Sequence, residues 1–199
     1  MKNTFNELHQ WVIQNWIEAQ RLEDTINEVR EKHEAVCKRV IQAVQAEKPE
    51  LDNCRPHPKE GHLSFARTEW SSQSDTWPPG LWIWNISFDH LTANDNDAPC
   101  AALWLRDPRG KRFDLDKMRA KTKSAALELA KGEEPKYKFD DEGGRDVVLW
   151  YDITETRQEL LQMLLDDQSE KFVQCIVSHV MILTQFIPVL NDILLTKQP

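Results

Sequence analysis

Apolar and small residues recur along the start of the chain at Phe5, Leu8, Val12, Ala19, Ile26, Val29, Val36, Val40 and Val44. The steps are three, four or sums of these, the spacing of one helical face. Residues 3 to 47 contain neither Gly nor Pro, and Thr4 with Glu7 has the spacing of a capping box. Lys48-Pro49 ends the pattern. A helix of this length spans about 65 Å, more than a compact domain of this size covers. The stripe is narrow, with Glu23 and Lys32 near it and His33 on it. A coiled-coil-like arm is therefore expected, paired with a helix of its own chain or of another. Val12, Trp16, Ile26, Val29, Val36 and Val40 are its candidate oligomerisation residues.

The period then changes. Leu51 to Glu60 contains two prolines and is expected to be a loop. His62 to Trp70 and Leu81 to Phe88 are predicted strands, the second placing Trp82, Trp84, Ile86 and Phe88 on one face. Ser71 to Gly80 and Thr92 to Pro99 carry turn residues, and Cys100 to Arg106 is the return strand. Asp107-Pro108-Arg109-Gly110 fits a type I turn, with a short strand expected over Lys111 to Phe113. Asp114 caps a predicted helix from Leu115 to about Lys131, stopped by Gly132. A brief edge strand is expected at Tyr137 to Phe139, and a last strand at Val147 to Ile153. Thr154 caps a closing helix from 155 to about 196, apolar on a broad face and kinked at Pro188.

The fold class is accordingly α+β. A long coiled-coil-like N-terminal helix leads into an antiparallel meander of four or five strands with one inserted helix, and a long apolar C-terminal helix closes the domain. Residues 1–48 form the helical arm and 49–199 the domain, the two together making a single structural unit.

Composition narrows the function classes. Cys37, Cys54, Cys100 and Cys175 show no paired spacing, and the start of the chain lacks a signal-peptide pattern, so a cytoplasmic, reducing setting is expected. The apolar stretch Ile176–Leu195 is broken by Ser178, His179, Gln185, Pro188, Asn191 and Asp192, which argues against a membrane span. A net charge of −8 speaks against a protein that coats nucleic acid along its whole surface. One segment differs: from Arg106 to Lys138 eleven Lys/Arg face six Asp/Glu.

That segment supplies the candidate binding residues for an acidic protein or for nucleic acid: Arg106, Arg109, Lys111, Arg112, Lys117, Arg119, Lys121 and Lys123. The chain is rich in tryptophan, with eight. Trp70 and Trp77, set among Ser, Gln, Asp and Pro, are expected to be exposed contacts. Trp82 and Trp84 are expected in the core.

Catalytic signatures are missing. The chain has no G-x-S-x-G, no P-loop and no G-x-G-x-x-G, and its six glycines leave little material for a phosphate cradle. Cys54, His57 and His62 are the nearest approach to a zinc set, but their spacing matches no zinc pattern, so no metal or other cofactor is expected. The expectation is a non-catalytic protein-interaction or regulatory subunit, of an accessory, immunity or defence kind, and a homodimer or part of a larger complex. The alternative is a metal-dependent nuclease or nucleic-acid-binding subunit using Asp114, Asp116, Glu134 and Lys136 beside the basic helix.

Overall fold

A computed structural model of the chain describes residues 7–70, 78–93, 98–106, 115–130, 136–139, 146–165 and 168–195. The gapless, amphipathic N-terminal segment forms α1 (Glu7–Gln14) and α2 (Trp16–Glu47). They are separated at Asn15, whose φ of −118° and ψ of 43° leave the helical region. Asn15 spans the break by giving both its backbone N–H and its side-chain Nδ2 to the Trp11 carbonyl, each at 2.9 Å.

Six antiparallel strands follow among the described residues: β1 (Asn53–His57), β2 (His62–Ala66), β3 (Gly80–Trp84), β4 (Cys100–Arg106), β5 (Lys138–Phe139) and β6 (Asp146–Asp152). Their order in the sheet is β1-β2-β3-β4-β6-β5. The first four form a meander in which β2, β3 and β4 are expected strands and β1 is an addition. β6 then pairs with β4 along its length, Cys100 opposite Asp152 and Arg106 opposite Asp146, and pushes the two-residue β5 to the edge. α3 (Phe88–Thr92) lies between β3 and β4, α4 (Leu115–Ala130) between β4 and β5. The closing segment is three helices, α5 (Arg157–Leu165), α6 (Ser169–Thr184) and α7 (Ile187–Leu194).

Several expectations change. Asn53–His57 is a strand despite Pro56, because β1 is the sheet edge, where a missing N–H removes no ladder bond. The second predicted strand stops at Trp84. Asn85 adopts a positive φ of 61°, which Asn tolerates, and the turn sends Ile86 into the core instead of beside Trp84. Phe88 starts a helix capped by Ser87, whose Oγ accepts from the His90 N–H. The closing helix bends by 53° between α6 and α7, where Pro188 sits in the first turn of α7, and it is also divided into α5, ending at Leu165, and α6, beginning at Ser169. The predicted strand at 111–113 lies outside the described residues.

Strand alternation sorts the sheet into two faces. Leu63, Phe65, Leu81, Ile83, Ala101, Leu103, Leu105, Leu149 and Tyr151 face the helices. Against them pack Val36, Val40 and Val44 of α2 and Phe172, Ile176, Val180 and Leu183 of α6. The opposite face is an aromatic layer in which Trp82, Ala102 and Trp104 are buried, with Trp84, Val148 and Trp150 packed around them. Gly80 is required at the start of β3, since a Cβ there would lie 2.7 Å from the Phe65 carbonyl oxygen.

No single helix among the described residues is long and apolar enough to cross a membrane. α6 and α7 reach that length only together, across a 53° bend. Leu190 and Ile193 of α7 join Phe172 and Ile176 of α6 in the domain core.

Candidate functional site

The long N-terminal helix divides into two parts with different surroundings. From His33 onward it belongs to the domain. His33 Nε2 lies 2.7 Å from the Ile86 carbonyl, Val40 and Val44 are completely buried, and Arg39 holds Ser169 and Glu170 at the start of α6. Arg30 marks the border, bonded to Asp89 at 2.8 Å with its guanidinium 6.0 Å from the centre of the Phe88 ring. Between Glu7 and Lys32 no residue is buried.

This first part carries large apolar side chains in water: Leu8, Trp11, Ile13, Trp16, Ile17 and Leu22 are 47–66% exposed. The other four exposed large apolar residues among the described residues are scattered: Leu127 and Leu129 on α4, Leu165 at the end of α5 and Leu195 just after α7. The six are spread round the arm: Leu8 and Leu22 lie on its stripe of three- and four-residue steps, Trp11 and Trp16 flank that stripe, and Ile13 and Ile17 lie on the opposite side. The seam Leu8, Val12, Asn15, Ala19, Leu22, Ile26, Val29, His33, Val36, Val40 alternates steps of four and three throughout. Its lower positions are filled by α6 of the same chain.

The candidate oligomerisation residues separate on this boundary. Trp16 is exposed, and Val12, Ile26 and Val29 are half-buried, in keeping with a face that continues outward. Val36 and Val40 are corrected: both are core residues packed within their own chain.

At the base of the arm, α2, the β1–β2 hairpin and the Ile86–Asp89 turn enclose a cleft of about 690 Å³ open to solvent. Its walls include His33, Cys37, His57 and His62. Burial pushes the Cys37 thiol up to about 12, away from a reactive thiolate. His62 accepts the Asn85 N–H on Nδ1, so its ring is neutral, with the proton on Nε2. Burial, then the neighbouring His90 and His57, bring its pKa down to about 4, against partial compensation from the Gly61 backbone and Glu60. Burial also lowers His33 and His57. The unfolded chain therefore takes up protons first. Stability contributed by these rings is fully present above pH 6.5 and is lost as pH falls toward 4. With solvent screening of the partly exposed His62 allowed for, about 2 kcal/mol should be lost between pH 7.5 and pH 5. Urea midpoints at the two pH values measure it; equal midpoints would contradict the neutral assignment.

The suspected Cys54/His57/His62 zinc set is not brought together. Cys54 donates to the Leu51 carbonyl at 3.1 Å on the helix-facing side of β1, while His57 stacks on Trp82 on the other side, with ring centres 4.9 Å apart.

The basic candidates are dispersed or occupied. Arg109, Lys111, Arg112 and Trp77 lie outside the described residues, as do Asp114 and Glu134; Arg106 ends β4. On α4, Lys117 is exposed, Arg119 contacts Asp116 at 3.4 Å, Lys121 pairs with Asp192 of α7, and Lys123 lies 5.5 Å from the centre of the Phe139 ring. Asp116 and Lys136 are both exposed. Trp70 is corrected: it is 6% exposed, and its indole N–H donates to Asn191 Oδ1 at 2.9 Å. It anchors the 68–70 turn onto α7 and presents no surface contact.

A polar cluster that spacing alone did not single out sits where the 153–156 loop meets α6. Glu155, Cys175 and His179 each present a ligating atom within 4.8 Å of the others. Cys175 and His179 are four residues apart on α6, so one helix face carries both. Glu155 also receives the Thr154 hydroxyl at 2.9 Å.

No protein-family model matches the chain, and neither the curated proteins nor the solved structures contain a match to it.

Proposed function

We propose that this protein is a non-catalytic interaction subunit that self-associates through residues 7–32, two copies pairing their arms as a coiled coil. The observation that carries the reading is the concentration of exposed Leu, Ile and Trp between Leu8 and Leu22, above the point where α6 stops filling the seam. On the side of the seam, Leu8 and Leu22 with the flanking Trp11 and Trp16 leave on the order of 500 Å² of largely apolar surface per chain. Each partner contributes about 800 Å² to a standard interface, and the half-buried Val12, Ala19, Ile26 and Val29 on the same stripe supply the remainder. A second copy is the natural occupant because it brings the same three-four repeat to its partner.

Sedimentation of the full chain across a concentration series tests this. The wild type is expected to be a dimer at micromolar concentration. Leu8→Glu with Leu22→Glu removes two apolar contacts and sets charges in the seam, which should weaken association at least about 100-fold while the circular dichroism of the domain persists. A wild-type monomer at every concentration would overturn the proposal. The nucleic-acid alternative gains no support among the described residues, where Lys121 and Arg119 already face carboxylates of their own chain.

A further inference from the structure

We infer that Glu155, Cys175 and His179 form a binding site for a single zinc ion, with Tyr151 holding the histidine in its ligating orientation. The donor set is a thiol, an imidazole and a carboxylate, the three side-chain chemistries zinc takes. Tetrahedral zinc at about 2.3 Å from sulfur and about 2.0 Å from nitrogen and oxygen needs ligand atoms about 3.2–3.5 Å apart. His179 Nε2 and Glu155 Oε2 are already 3.2 Å apart. All three ligating atoms lie within 4.8 Å, so closure asks for a movement of roughly 1 Å.

The surrounding hydrogen bonds accommodate the ligating tautomer. Tyr151 Oη lies 3.2 Å from the His179 carbonyl and 3.2 Å from His179 Nδ1. A phenol carries one hydrogen. Given to the carbonyl, it leaves Oη to accept from Nδ1–H, and Nε2 then presents a lone pair to the Glu155 carboxylate. In that tautomer two acceptors face each other across 3.2 Å, an arrangement a cation between them would satisfy, with the Cys175 sulfur within 4.8 Å of both. Metal-bound histidines characteristically donate their second ring N–H to a fixed acceptor, the role Tyr151 fills here. Access is from the Glu155 side, which is 31% exposed, whereas His179 is 7% exposed. Coordination exchanges the Cys175 thiol proton for the metal, and the proton leaves to solvent. Three protein ligands leave a fourth position for water. The ion would staple the loop after β6 onto α6.

A proton on His179 Nε2 satisfies the same distances, and the experiment separates the two states. The full-length protein is stripped with a chelator and titrated with zinc against a coloured competitor, then with cobalt as a spectroscopic probe. One zinc per chain is expected, together with a thiolate-to-cobalt charge-transfer band. Cys175→Ser should abolish the band and weaken zinc at least 100-fold, Glu155→Gln at least 10-fold, and Tyr151→Phe about 10–100-fold. Should Cys175→Ser fail to fold, the half-exposed Glu155→Gln carries the test alone. Folded wild-type protein that takes up no zinc overturns the inference. So does zinc uptake that Cys175→Ser and Glu155→Gln leave unchanged, which would place the metal elsewhere.

Discussion

Val40→Asp is expected to leave the chain unfolded, with the native far-ultraviolet spectrum and the cooperative melt both lost. Val40 is completely buried between the sheet and α6, in a cluster of Val36, Val44, Phe172 and Ile176. A carboxylate there has no cation within the cluster and no route to water. Burying an unpaired charge costs more than several kcal/mol, and protonating it instead still strands a polar group. Against a total stability of about 5–15 kcal/mol, either outcome removes most of the margin. Ile17→Asp, 23 residues earlier on the same helix and 62% exposed, should keep the domain folded with an unchanged melting temperature at concentrations where the protein is monomeric. A folded Val40→Asp variant would mean that the second half of α2 does not pack on its own chain. The contrast between the two variants locates the point where the helix passes from core to arm.

The second large effect belongs to the far side of the sheet. Trp82→Ala should cost about 3–5 kcal/mol, which for a chain of this length lowers the melting temperature by about 10 °C. Trp82 is completely buried although it points away from the helices. It stacks on His57, meets Trp104 edge-on with ring centres 5.1 Å apart, and donates its indole N–H to the Pro78 carbonyl at 3.2 Å. Removing it opens a cavity and orphans that carbonyl at once. Trp84→Phe, two residues along on the same face, should cost far less. Trp84 is only half-buried, and its buried Nε1 has no hydrogen-bond partner among the described residues, so no bond is lost with it. Thermal melts of the two variants decide the matter, and equal losses would show that the aromatic layer does not discriminate between them.

These two sites illustrate how far local sequence reaches. The three-four spacing of Leu8, Val12, Ile26, Val29, Val36 and Val40 defines one face of one helix, but spacing is identical whether the partner is α6 or another chain. Val36 and Val40 were expected in an intermolecular seam for that reason. Trp70 was misplaced by its polar neighbours, because the residue that receives its N–H, Asn191, is 121 positions away. Pro56 read as a loop signal and is an edge-strand residue, a distinction that depends on whether another strand pairs with its free side. The candidate metal cluster was half legible: Cys175 and His179 lie one helical turn apart by spacing alone, yet Glu155 and Tyr151 join them only when β6 is laid beside α6.

By itself, the sequence determined the fold class and most of the elements. Helical period without Gly or Pro, strand alternation through Leu81–Trp84 and Cys100–Arg106, and turn or cap residues between them are local consequences of backbone sterics and side-chain direction, and they specify an α+β chain with an over-long first helix. Tertiary structure alone decided which stretch of that helix is core and which is arm. It also decided that β6 inserts beside β4, that Cys54 and His57 face opposite ways, and that a thiol, an imidazole and a carboxylate converge at the end of β6. Each of these depends on which distant surfaces meet, and contact between distant residues follows from the joint burial of apolar area across the whole chain, a quantity that no short window of residues contains.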